Sequence, residues 1–139
     1  IDTVPKMGAG WCPPGVLGIG VGGTADKAML LAKESLMDPI DIQLLIKNGP
    51  KNLIEELRLE IYEKVNNLGI GAQGLGGLTT VLDVKIKDYP THAASLPVAI
   101  IPNCAANRHI HIQMNGDGAV NLTTPHLSML PKQVRKHDP

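Results

Sequence analysis

Phenylalanine is absent from this chain of 139 residues, and the aromatic side chains amount to Trp11, Tyr62 and Tyr89. A core therefore has to be built from Leu, Ile, Val, Ala and Met. Charge of either sign is not in excess: 13 Lys and Arg stand against 13 Asp and Glu. No cluster of Lys or Arg lies among aromatics, so nothing points to nucleic acid. No run of 18 apolar residues occurs, which excludes a helical membrane span by length. The first residues do not show a basic stretch followed by an apolar one, as a secretory leader would. Only two cysteines are present, Cys12 and Cys104. Far apart and alone, they do not make the disulfide framework of a small secreted domain. A reducing compartment is expected, the bacterial cytoplasm or a mitochondrial matrix. Ile1 is not Met, and "IDTVPKMGAG" and "KQVRKHDP" both read as interior sequence, so a fragment or processed chain is expected.

Glycine and proline, by contrast, are plentiful, with 15 and 11 residues. Much of the backbone is committed to tight turns and close approaches. The stretch "GAGWCPPGVLGIGVGG" sets Cys12 at a Pro-Pro corner before an alternating Gly and aliphatic segment. Gly15 to Gly22 suits a tightly packed strand. Thr24 is placed to cap a helix over Ala25–Met37, with Ala28, Leu31, Ala32 and Leu36 on one face. "DPIDIQ" breaks it. Pro50 opens a second helix over Lys51–Asn67, striped by Ile54, Leu57, Ile61, Val65 and Leu68 and stopped by Gly69. "GIGAQGLGG" is a second glycine-rich loop. "LTTVLDVKI" predicts a strand with Val81, Asp83 and Lys85 alternating with Leu82, Val84 and Ile86. "PVAIIPNC" predicts a short strand ending at Cys104, "RHIHIQM" an alternating one, and "NGDG" a turn. These elements make an α/β domain, a mixed sheet with two main helices, over residues 1–120. Residues 121–139 read as a Pro-rich tail or linker. Disorder is expected near Ile1–Gly10 and Asn121–Pro139.

Several groups carry possible chemistry. Gly18–Gly23 and Gly69–Gly74 both fit GxGxxG, but neither has a good preceding strand with a well-placed acid beyond. Close backbone packing explains the glycines more simply. An anion facing their N–H groups and the Thr24 helix is a third reading. Cys12 and Cys104 are either inert buried thiols or ligands. With His109 and His111 they also make a Cys2His2 zinc donor set. His92, in a loop ahead of "AAS", is either solvated or an acid–base group. Arg108 is a surface charge or a carboxylate fork.

Four blocks in order, "CPPGVLGIGVGGTADKA", "LGIGAQGLGGLTTVLDVKI", "PTHAASLPVA" and "IPNCAANRH", together resemble the class I fumarase and L-tartrate dehydratase family of iron–sulfur hydro-lyases. The likeness runs from about Gly8 to His111 and is greatest to the carboxyl half of the family's alpha-type domain. It implies a [4Fe–4S] cluster held by three cysteines, two of them Cys12 and Cys104, the third upstream of Ile1. It implies an open iron that binds a dicarboxylate substrate, malate or fumarate, with L-tartrate as the alternative. His92 matches the family's substrate-site histidine in its "HxAS" stretch, and Arg108 is a weaker electrostatic candidate. A beta-type domain or subunit would complete the site, in a homodimer when intact. The cluster is expected to be absent from this fragment alone. A non-catalytic or zinc-binding domain remains the competing reading.

Overall fold

The structure is a computed structural model and describes residues 1–107, 112–114, 116–118 and 120–122. Packing divides the chain into Ile1–Asn107 and Arg108–Pro139.

The first unit is built on a three-stranded mixed sheet in the order β2-β1-β3. The central strand β1, Gly15–Gly22, runs parallel to β2, Val81–Tyr89, and antiparallel to β3, Val98–Cys104. Between β1 and β2 come α2, Ala25–Ser35, α3, Ile42–Asn48, and α4, Leu53–Asn66. A short helix, α1, Thr3–Met7, precedes the sheet.

The alternation in β1 sets the two layers. Leu17 and Ile19 point into a core with Val65, Val81, Val84 and Ile86, against which Ile54 and Ile61 of α4 pack. Gly18 and Gly20 face α2. A Cβ at Gly20 would overlap the Ala28 carbonyl oxygen, and one at Gly18 the Ala32 carbonyl oxygen. The glycines thus let the α2 backbone lie directly on the strand, with Ala28 and Ala32 buried at the contact. Close packing, the simplest of the readings from sequence, accounts for the first GxGxxG. Gly20→Ala has to push α2 off the sheet, because backbone cannot yield as a flexible side chain does. We expect a loss of about 3 kcal/mol or more, read as a lowered urea midpoint. A loss within experimental error would show that α2 can shift freely.

Expectation and structure differ in three places. The segment expected to be loose near Ile1–Gly10 is folded: Val4 and Trp11 enter the core. Successive turns tie it down, Gly8 N–H to Pro5 O, Gly10 N–H to Met7 O and Cys12 N–H to Ala9 O. The strict alternation expected in β2 is broken by a bulge. Gly15 pairs with Val81 and Val16 with Asp83, so Leu82 is the extra residue. Val81 and Val84 then share the core side, and Asp83 and Lys85 are buried on the other. A third helix, α3, lies where only a break was expected.

The outer edge of β2 is covered by α4. Asn66 Oδ1 accepts from Thr80 and Val81 N–H, its Nδ2 donates to Val81 O, and Arg58 Nε donates to Val84 O at 2.7 Å. These bonds occupy backbone groups that an edge strand otherwise leaves open to pairing.

In the second unit, β4, Ile112–Met114, pairs antiparallel with β5, Val120–Leu122. Of the turn expected at "NGDG", residues 116–118 are described and form a turn and bend, with Gly118 at φ +83°. The expected tail from 123 onward lies outside the described residues.

Candidate functional site

Two residues 92 positions apart meet at one end of the sheet. Cys104 is the last residue of β3 and lies across from Gly15, the first residue of β1. Cys12 is three residues before Gly15, so the β1–β3 register carries both thiols to the same end. Gly15 is required there, because a Cβ would run into the Asn103 carbonyl oxygen and the Trp11 ring. Both thiols are free; Cys12 is exposed and Cys104 half-buried. The Cys104 thiol accepts a hydrogen bond from Ala106 N–H at 3.4 Å.

The proximity has an electrostatic consequence. The neighbouring Cys104 pushes the Cys12 thiol above its ordinary value, by charge repulsion first and by hydrogen bonding second. Two thiolates side by side oppose each other's ionisation. A bound cation removes that opposition, since metal binding deprotonates its thiol ligands. The pair therefore presents two soft donors suited to a thiophilic metal.

The corner before β1 is rigidly held. Cys12 adopts φ +57°, in the left-handed region that side chains disfavour. Pro13 is fully buried, and its carbonyl oxygen accepts the Gln73 N–H at 2.6 Å. Trp11, next in line, packs in the core, its indole N–H without a hydrogen-bond partner among the described residues.

The sequence profile described as "Fumarate hydratase (Fumerase)" matches residues 1–113. This chain belongs to the fumarate hydratase family. Over 108 residues it is 47% identical to "Putative L(+)-tartrate dehydratase subunit alpha" of Methanocaldococcus jannaschii, covering 78% of this chain and 36% of that one. Over 116 residues it is 28% identical to "L(+)-tartrate dehydratase subunit alpha" of Escherichia coli (strain K12), covering 84% and 37%. The chain thus spans little more than a third of the length of these relatives.

In this member of the fumarate hydratase family one other expected site residue, His92, lies apart from the thiols. His92 is exposed in the loop between β2 and β3, where Ser95 N–H donates to its carbonyl at 3.4 Å and Ala93 has φ +53°. That loop leaves the sheet at Tyr89 and re-enters at Val98, beside Val21 and Gly22. Its anchors are therefore at the end of β1 opposite the cysteine pair, about 20 Å of strand away. Arg108, and the His109 and His111 of the zinc reading, lie outside the described residues. No group of three or more His, Cys, Asp and Glu side chains gathers for a metal among the described residues, so the thiol pair alone is an incomplete ligand set.

A second polar centre went unread from sequence. The fully buried Asp83 carboxylate accepts from Asp41 N–H at 2.8 Å and Ile42 N–H at 3.2 Å. It also pairs with Lys85 at 3.0 Å and Arg58 at 3.2 Å. Asp41 closes the group by pairing with the same two cations. Burial would raise the Asp41 carboxyl, but Lys85 and then Arg58 outweigh it and hold the group below the usual carboxylate range. With each charge answered by another, this centre joins α3 and α4 to β2. Its one signal in the sequence was an acid and a base two apart among the aliphatic residues of 81–86.

Proposed function

We propose that this chain is the part of a hydro-lyase alpha-type subunit or domain that contributes two thiolates, Cys12 and Cys104, to an iron–sulfur cluster. The observation that carries the reading is the convergence of these two free thiols at one end of the sheet. Family membership supplies the reaction class. Relatives named as alpha subunits support a partner, a beta-type subunit or domain, for the complete enzyme. The substrate is a 2-hydroxy dicarboxylate. Malate and fumarate follow from the family's description, and L-tartrate is a second reading that the two relatives' names favour.

When bound, a [4Fe–4S] cluster supplies a Lewis-acidic iron for the hydroxyl that leaves as water. This chain's part is to hold it. Cys12 and Cys104 are two of three expected ligands, and the buried Pro13 fixes the backbone beside the first of them. The small Ala105 and Ala106 after Cys104 leave room for a bulky inorganic group. His92 is proposed to bind a substrate carboxylate or move a proton, on the strength of its matching "HxAS" stretch.

The test uses the full-length protein with its partner, reconstituted anaerobically with iron and sulfide and then desalted. Retained iron and sulfide, with dehydration of (S)-malate or L-tartrate, are expected; zinc, or no metal, would overturn the reading. In the same protein His92→Asn is expected to leave the chromophore intact, since His92 is not among the three expected cluster ligands. Turnover should fall by about 10²–10⁴, the scale of a proton-transfer group. Unchanged turnover would make His92 a bystander.

A further inference from the structure

The loop after α4 bends through six left-handed positions, Gly69, Gly71, Gln73, Gly74, Gly76 and Gly77, with φ of +66°, +67°, +56°, +74°, +90° and +144°. Five are glycine, which adopts such angles without a Cβ clash. Gln73 alone keeps a side chain there, although glycine would fit the backbone better.

Packing does not account for the side chain, since Gln73 is exposed. Nor does the backbone bond need it, because the 2.6 Å contact to Pro13 O comes from the main-chain N–H. The side-chain Nε2 lies 3.5 Å from that same oxygen, a weak second bond to an acceptor already taken. The carboxamide is thereby held one residue from Cys12, itself left-handed at φ +57°. Two strained non-glycine residues thus flank one carbonyl at the candidate site, the kind of place where strain is retained for function.

We infer that Gln73 is a positioning residue whose carboxamide donates a hydrogen bond to sulfur held at Cys12, either the thiolate itself or a sulfide bound beside it. The inference rests on the cluster reading above. Thiolates and sulfides are anionic acceptors, and donors to them tune a cluster's potential and its hold on iron. Such a bond stabilises the more negative, reduced state.

The experiment compares wild type, Gln73→Gly and Gln73→Glu in the full-length protein with its partner, reconstituted with iron and sulfide. Glycine removes the donor and relieves the backbone; glutamate keeps the size and replaces the donor with a charge. We expect Gln73→Gly to melt, metal-free, at or above the wild-type temperature. Both variants should lose iron to a chelator about 10–100-fold more readily and show a more negative midpoint potential. Wild-type iron retention and potential in both variants would overturn the inference alone. A metal-free Gln73→Gly protein that melts well below wild type would assign the side chain to packing and overturn it as well. Failure of the wild type to retain iron and sulfide would instead overturn the cluster reading, and this inference with it.

Discussion

Cys12→Ser or Cys104→Ser, made singly in the full-length protein, is expected to leave no stable cluster and no hydro-lyase activity. A serine hydroxyl does not ionise at neutral pH and is a harder donor than thiolate, so iron loses one of its few protein bonds. The fold should survive both changes. Cys12 is exposed and Cys104 half-buried, and neither belongs to the apolar core. Iron and sulfide content after desalting gives the first readout, and the metal-free melting temperature the second. Near-normal iron with near-normal turnover in either mutant would remove that cysteine from the ligand set. In wild type the two thiols should resist alkylation once the cluster is loaded, and react when it is stripped.

The largest effect on stability is expected at Asp83. Asp83→Ala deletes the acceptor of two backbone N–H groups and one of two carboxylates facing Lys85 and Arg58. Lys85 is itself buried and is left with the half-exposed Asp41. Stranding one partner of a buried pair costs about 3–5 kcal/mol, a large share of the 5–15 kcal/mol or so that holds a domain together. Removing Lys85 as well, in Asp83→Ala/Lys85→Met, should recover part of the loss, because the stranded cation goes too. Urea unfolding followed by circular dichroism measures both. A loss below about 1 kcal/mol in the single mutant would mean that water reaches the site and answers its charges.

Much of this was open to reading along the chain. The apolar stripe expected for α2 was there, and Ala28, Leu31, Ala32 and Leu36 are buried as its spacing implied; that of α4 held in Ile54, Ile61, Val65 and Leu68, which pack on the core, while Leu57 is exposed. The glycines of β1 were readable as a close approach, since their alternation has period two and each lacks a Cβ on the same face. Four ordered blocks carried the family. Helix α3 was not readable. It has seven residues and buries Ile42 and Leu45, too short a pattern to separate from a loop. Its N-terminus is stabilised by the carboxylate of Asp83, more than forty residues away. No local signal announces a cap supplied from another element.

The sequence by itself determined the local elements other than α3, because helix and strand periods and turns depend on neighbours within a few positions. It determined also that there were two thiols and where the chain would turn sharply. That Cys12 meets Cys104 was decided by the antiparallel register of β1 and β3, which is a property of the sheet. That Asp83 and Lys85 are buried was decided by the bulge at Leu82 and by helices packed on both faces. That Gln73 meets Pro13, the neighbour of Cys12 in the chain, was decided by a hydrogen bond across sixty residues. Each of these depends on groups distant in sequence being brought within a few ångströms, and only the folded backbone fixes those distances.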